Sequence, residues 1–304
     1  MSIQDNVKSF FEVLLELGEA DPNVFVISQD MGSVGPFAQR FPDRAIDVGI
    51  TEQNLVGVAA GLAIRGKLPF IYGMAPFVTM RAFEQIRTDL AYNGRNVKIL
   101  AVFTGLAAGA WGATHHALED IALMRAIPGM TVIAPADMHE TERAVRAAAA
   151  HPGPVYLRLG AFLPVHEQEY DFEIGRAITL RKGTDAAIIA TGNMVWAALQ
   201  ARESLQQRGV AARVIDMHTV KPLDAEAVRK AAAETGRLVT AEEHSVIGGL
   251  GSAVAEVLAE TGAGRLARVG VRDVFCTEVA SYPELCAMHG VTAEGIERAI
   301  LSLL

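Results

Sequence analysis

The chain has only two cysteines, Cys276 and Cys286, in 304 residues. Their spacing fits no zinc-ligand or redox pattern, and two thiols make no disulfide framework. No basic run occurs and the net charge is -8. Nothing in the chain therefore advertises nucleic acid or an anionic membrane as a partner. No apolar stretch is long enough to span a bilayer. The opening MSIQDNVKSFFEVLLELGEADP lacks a basic segment followed by an apolar core. It reads instead as an amphipathic helix with Phe10, Val13, Leu14 and Leu17 on one face. The expectation from these absences is a reduced, cytoplasmic setting. There is no internal repeat and no low-complexity tract beyond alanine-rich helices.

What is present is core. Hydrophobic residues make up 51% of the chain and charged residues 20%, which is a globular composition for one large domain or two. Strand-like apolar runs alternate with helical patterns. NVFVIS (23–28), AIDVG (45–49), LPFIYG (68–73), VKILAVFTG (97–105), TVIAPA (131–136) and PVYLRLG (154–160) are separated by helical stretches at 51–65, 81–92, 118–125 and 137–149. Runs of this kind predict a parallel sheet covered by helices on both faces. The rhythm breaks over 161–182 and resumes with AAIIAT, AARVIDM, RLVTAEE and ARVGV, interleaved with further helices. The predicted organisation is α/β, with a first domain over 1–165, a linker over 166–183 and a smaller second domain over 184–304.

Two local features stand out. Glu52 follows an apolar strand and opens helix 51–65, where a carboxylate is desolvated and needs either a partner or a chemical role. The same helix carries Gly57 and Gly61 four residues apart. Glycine in a helix costs up to ~1 kcal/mol relative to alanine, so close approach of another backbone is the natural reason. That neighbour is either the chain's own sheet or a second subunit.

The stretches FPDRAIDVGITEQNLVGVAAGLAIRG, RAFEQIRTDLAY, THHALEDIALMRAIPGMTVIAPAD, VIDMHTVKPLD and EEHSVIGGLGS, in this order, resemble the transketolase family. More narrowly, they resemble the C-terminal half of its thiamine-diphosphate enzymes of the transketolase and deoxyxylulose-phosphate synthase type. The resemblance spans nearly the whole chain. It implies that the first domain holds the aminopyrimidine ring of thiamine diphosphate and that the remainder is the family's C-terminal domain. In such enzymes a Gly-Asp-Gly motif on another domain holds Mg2+ and the diphosphate. No such motif occurs in this sequence, so the missing domain is expected on a separate N-terminal-type chain, in an α2β2 heterotetramer acting on a small-molecule substrate.

Residue by residue, the resemblance makes Glu52 the carboxyl that hydrogen-bonds pyrimidine N1' and so promotes deprotonation of the thiazolium carbon. A dry pocket, which favours the protonated carboxyl, suits that sharing of a proton. Phe77 is the candidate aromatic platform under the pyrimidine or else a core residue, and Phe83 packs nearby. His115 matches a Thr-His-Gln element whose histidine assists proton transfer at substrate oxygens. His116 stands in the glutamine position and is a weaker substrate candidate. Adjacent histidines rarely chelate one ion, so no metal site is expected in this chain. Arg158, at a strand's C-terminal end, is either a substrate-phosphate ligand or an interface ion pair. Ser33, in a glycine-rich loop, is a candidate contact at the substrate mouth. Glu242, Glu243, His244 and the Lys221–Asp224 run read as structural or interface elements.

Two departures bear on substrate. Sugar-handling members have Gly-Glu-Asp-Gly before the Thr-His element; here Gly109-Ala110-Trp111-Gly112 stands there. A histidine common at the start of that loop is Phe103. An indole wall with a single donor replaces hydrogen-bonding groups suited to hydroxyls. The expected activity is transfer of a two-carbon ketol or acyl unit from a ketose or 2-oxo donor to an aldehyde, on a substrate less hydroxylated than, or shaped differently from, ordinary pentose phosphates. Two other readings stay open: the beta subunit of a 2-oxo acid dehydrogenase or decarboxylase, and a non-catalytic regulatory subunit of the same fold.

Overall fold

The fully apolar runs form the centres of two sheets. The computed structural model describes residues 3–31, 35–160, 163–166 and 170–304. The first half runs α1 (Ile3–Ala20), β1 (Val24–Ser28), α2 (Gly35–Arg40), β2 (Ala45–Asp47), α3 (Glu52–Ile64), β3 (Leu68–Met74), α4 (Phe83–Gln85), β4 (Lys98–Val102), α5 (Asp120–Ala126), β5 (Thr131–Ile133), α6 (Met138–Ala150) and β6 (Val155–Leu159). The second half runs β7 (Ile178–Arg181), β8 (Ala186–Ala190), α7 (Met194–Gln207), β9 (Ala212–Asp216), β10 (Thr219–Lys221), α8 (Ala225–Thr235), β11 (Arg237–Ser245), α9 (Leu250–Thr261), β12 (Arg265–Val271), α10 (Tyr282–Met288) and α11 (Ala293–Leu301).

The seven-stranded sheet has the order β10-β5-β6-β4-β3-β1-β2 and the five-stranded sheet β12-β11-β8-β9-β7. Every pairing in the first sheet is parallel except β10 with β5, and in the second all but β7 with β9. Strands β4, β6 and β8 are buried at every residue, as strands covered on both faces must be. The expected α/β architecture of two mainly parallel, helix-flanked sheets is observed. Among the described residues no helix is long and apolar enough to cross a membrane.

The two halves are not separate bodies joined by a tether. Ile71, Ile99, Ile121 and Met124 of the first half share one apolar cluster with Ala187, Ile189, Ile215 and Val228 of the second. Burial of each large aliphatic side chain is worth about 1.5–3 kcal/mol, so this seam is a firm one. β10 crosses the boundary outright, lying on the edge of the first sheet. Lys221 at its end donates to the Arg125 and Ile127 carbonyls at 2.9 and 2.5 Å.

Two sequence expectations need correction, and one open alternative is narrowed. β7 lies inside the predicted linker yet is an antiparallel edge strand of the second sheet; its short pattern alternates half-buried and exposed residues. The helix expected over 81–92 is a longer helical stretch over 77–92 in which π-helical turns (Phe77–Arg81 and Ile86–Tyr92) flank α4. The Gly57–Gly61 face of α3 does not pack on the chain's own sheet: a Cβ at either position meets nothing within 4 Å.

Candidate functional site

The carboxyl ends of parallel strands in open α/β sheets are where ligands bind, and here β2, β3 and β4 deliver their following loops to one place. After β2, Asp47 fixes the turn into α3. Its Oδ1 accepts from Gly49 N at 2.8 Å and Asp30 N at 3.1 Å, and Oδ2 accepts from Ser28 Oγ at 3.1 Å. Burial pushes that carboxyl's pKa up, but these donors outweigh it and hold the pKa below its ordinary value. The turn places Glu52 as the first residue of α3, 5% exposed.

Of the two needs the sequence raised for Glu52, a partner or a chemical role, the structure supplies a partner. Arg81 Nη1 donates to its Oε1 at 2.9 Å. The same guanidinium lies over the Phe77 ring, its carbon 4.1 Å from the centroid, a cation–π contact. Phe77 meets His115 edge-on at 5.2 Å, and His115 meets Trp111 at 5.5 Å, which in turn tilts against Phe103 at 5.1 Å. The candidates from three loops thus form one continuous row, from Glu52 through Arg81, Phe77, His115 and Trp111 to Phe103. Phe103 holds a left-handed backbone, φ 55°, which bulky residues rarely adopt.

Two hollows flank Arg81. One, of about 660 Å3, is lined by Ile50, Thr51, Glu52, Gln53, Asn54 and Arg81. The other, of about 350 Å3, includes Phe77, Met80, Arg81, His116 and, from the second half, Phe275 and Cys276 in its lining. His115 Nδ1 lies 2.9 Å from Thr114 Oγ1. His116 is buried, yet neither ring nitrogen has a hydrogen-bond partner among the described residues. Burial lowers its pKa, His289 and His115 lower it further, and Glu278 opposes them. It is a neutral imidazole at neutral pH with both nitrogens unspent. Burial, with Glu278 and Glu119 nearby, raises the Cys276 thiol to about 11, so it is no ready nucleophile.

The remaining candidates lie elsewhere. Arg158 is buried in the domain junction. Its Nε donates to Asp120 Oδ2 at 2.8 Å, and its Nη2 to the carbonyls of Ala117 and Glu243 at 3.1 and 2.9 Å. Burial works to lower its pKa, but Asp120 and Glu243 raise it above its ordinary value. This is the interface ion pair rather than a guanidinium open to phosphate. Phe83 packs against the apolar core and does not line either hollow. Ser33 lies outside the described residues. Arg81, the residue that joins Glu52 to Phe77, was missed by the sequence reading; its place four residues after Phe77, on one helical face, was the available signal. Phe275 and Cys276 were missed because no local pattern ties the second half to the cleft.

These residues suit the pyrimidine end of thiamine diphosphate: an aromatic ring, a buried carboxyl and unspent imidazole nitrogens face adjoining hollows. The fit has one qualification, since Arg81 covers one face of Phe77.

Sequence comparison agrees with this layout. The family described as transketolase, pyrimidine binding domain, matches residues 4–161, and the family described as transketolase, C-terminal domain, matches residues 175–296. The chain is 45% identical to a subunit of the apulose-4-phosphate transketolase of Phocaeicola vulgatus, over 98% of this chain and 96% of that one. It is 44% identical to the SqwH subunit of the 6-deoxy-6-sulfo-D-fructose transketolase of a Clostridium species, over 96% and 92%. A solved split-gene transketolase, described as an inactive beta4 tetramer, superposes with a TM-score of 0.91 at 43% identity, covering 98% of both chains.

Proposed function

The chain belongs to the transketolase family, and from that premise we propose that it is one half of a two-chain thiamine-diphosphate-dependent transferase. It contributes the pyrimidine-binding and C-terminal domains, and a separate N-terminal-type chain holds Mg2+ and the diphosphate. The assembly is α2β2, it works in the cytoplasm, and it moves a two-carbon ketol or acyl unit from a ketose or 2-oxo donor to an aldehyde.

The observation that carries this reading is Glu52: a buried carboxyl at the head of α3, linked through Arg81 to Phe77 and so to His115. The cofactor supplies a nucleophilic carbon able to cleave the bond beside a ketone. This chain's residues bind and orient it. A carboxyl oxygen of Glu52 would hold a pyrimidine ring nitrogen by a hydrogen bond and share a proton there. Arg81 holds the other side of that carboxyl and balances its charge when the proton is absent. With Nδ1 of His115 engaged by Thr114, proton transfer to a substrate oxygen falls to Nε2. His116 gives a neutral ring nitrogen to the same substrate.

The contact of Phe103 with Trp111 supports a substrate with fewer hydroxyls, or another shape, than xylulose 5-phosphate. The relatives act, by their names, on apulose 4-phosphate and 6-deoxy-6-sulfo-D-fructose, neither of which is that sugar. Comparing turnover of xylulose 5-phosphate with that of small 2-oxo acids tests this, and brisk, tight turnover of the pentose phosphate rejects it.

The test of the whole is reconstitution with a co-purifying chain that carries the diphosphate motif. Thiamine-diphosphate-dependent transfer should appear only in the complex. Glu52→Gln should abolish it while the complex still assembles. Unchanged transfer in that variant, or tight Mg2+–cofactor binding by this chain alone, overturns the proposal.

A further inference from the structure

A second concave site lies on the second domain, between edge strand β12 and α11. It is a groove of about 590 Å3 whose lining includes Arg268, Arg272, His289 and Arg298. Three guanidiniums on one groove are notable in a chain of net charge -8. None of the three forms an ion pair among the described residues, whereas Arg81, Arg125, Arg146, Arg158 and Arg213 all do. Glu294, one turn before Arg298, feels its charge without pairing to it. Arg268 is held in place by a 2.7 Å bond from Nη1 to the Val246 carbonyl, which leaves its other donors unspent. The one carboxylate paired to a lining residue is Glu278, 3.4 Å from His289 Nε2; it leaves the three guanidiniums without an ion-pair partner of their own among the described residues, and an anion would complete the set.

We propose that this groove binds an oxyanion, with a phosphate monoester as the ligand class. Guanidinium forks match the paired oxygens of phosphate, and the His289 ring adds a polar wall. The site is distinct from the Glu52 cleft and does not rest on the reading of that cleft. The two are nonetheless linked along the chain: Arg272 lines the groove, and Val274, Phe275 and Cys276 line the cleft.

The test is isothermal titration of the full chain with inorganic phosphate and with glycerol 3-phosphate at low ionic strength. Saturable binding of one anion per chain is expected, weakening as salt rises. Arg298→Gln should weaken it about tenfold, and Arg272→Gln with Arg298→Gln on the order of a hundredfold. Arg298→Lys should lose less than Arg298→Gln, because charge remains while the fork is lost. Arg81→Gln, which alters the cleft alone, should bind as the wild type does. Binding of inorganic phosphate but not of the monoester would overturn the ligand class. Absence of saturable binding by the wild type, or equal binding by the double variant, would overturn the site.

Discussion

At the domain junction, Glu243 accepts from Leu106 N at 2.7 Å, Asn193 Nδ2 at 3.0 Å and Tyr282 Oη at 2.6 Å. Glu242 accepts from Leu250 N and Gly251 N, and Arg158 uses three partners. In the cleft, His116 is equally buried but has no partner among the described residues, Phe103 is held in a left-handed conformation, and Trp111 is 53% exposed. Both regions bury polar groups. The junction spends most of its own on each other, with Asp120 Oδ1 and Asn193 Oδ1 left over, even at the cost of a backbone restriction: at Gly105, φ 59°, a Cβ would collide with the Glu243 carboxylate. The cleft keeps polar capacity in reserve. Buried groups spent on each other hold a structure together, and buried groups left unspent await a ligand.

The sharpest way to break that contrast is to change a carboxylate in the cleft. Glu52→Gln is expected to cost at least about a hundredfold in transfer activity of the reconstituted complex, with little change in the chain's denaturation midpoint. A large loss of stability would mean that Glu52 belongs with the junction residues instead.

The reverse is expected at the junction. Arg158→Met leaves Asp120 buried without its cation, which costs about 3–5 kcal/mol, read as a lower urea midpoint. If the variant folds as well as the wild type but loses affinity for a phosphorylated substrate, Arg158 is a ligand residue after all.

Most of the first sheet was legible because its strands are short, largely apolar and separated by periodic helices. That Glu52 is desolvated was legible because it stands between an apolar strand and an apolar helix; the role proposed for it came from the resemblance of the surrounding motif. The rest depended on contacts that sequence spacing does not encode. Arg81 reaches Glu52 across 29 positions, Arg158 meets Asp120 across 38, and β10 leaves its own half to pair with β5. β7 and β10 are only four and three residues long, too short for a periodic signal to stand out.

A smaller effect concerns pH. His166 Nε2 lies 2.9 Å from Asp216 Oδ2 and 3.5 Å from Glu140 Oε1, bridging α6 and the end of β9. Burial lowers its pKa, but the bonds to Asp216 and Glu140 raise it to about 10. A folded pKa above the unfolded value of about 6.5 means the stabilisation is full below pH ~6.5 and is lost as pH rises towards about 10. Lys98 acts in the opposite sense over much of that interval, since burial lowers its pKa to about 7. The difference between wild type and His166→Gln therefore isolates the effect better than the wild type alone. The wild-type advantage in denaturation midpoint should be widest near pH 6 and close by pH 10. A constant gap would mean that the knot between the domains does not depend on the imidazolium.

The smallest expected effect bears on what lies outside the chain. Gly57 and Gly61 sit in α3 with open space where a Cβ would go. Alanine there is free of clashes, favours the helix and reduces the freedom of the unfolded chain. Gly61→Ala should therefore stabilise the isolated chain by about 0.5–1 kcal/mol. A glycine pair that costs the chain stability without packing on anything of its own would be explained by a subunit contact at α3, whose ends also expose Ile50 and Ile64. An added methyl there separates the two backbones. The same Gly61→Ala variant should therefore show a higher midpoint when dissociated and weaker association by sedimentation. A higher midpoint with unchanged association would place the subunit contact on a different face, and would leave these glycines without a structural reason in either the chain or its assembly.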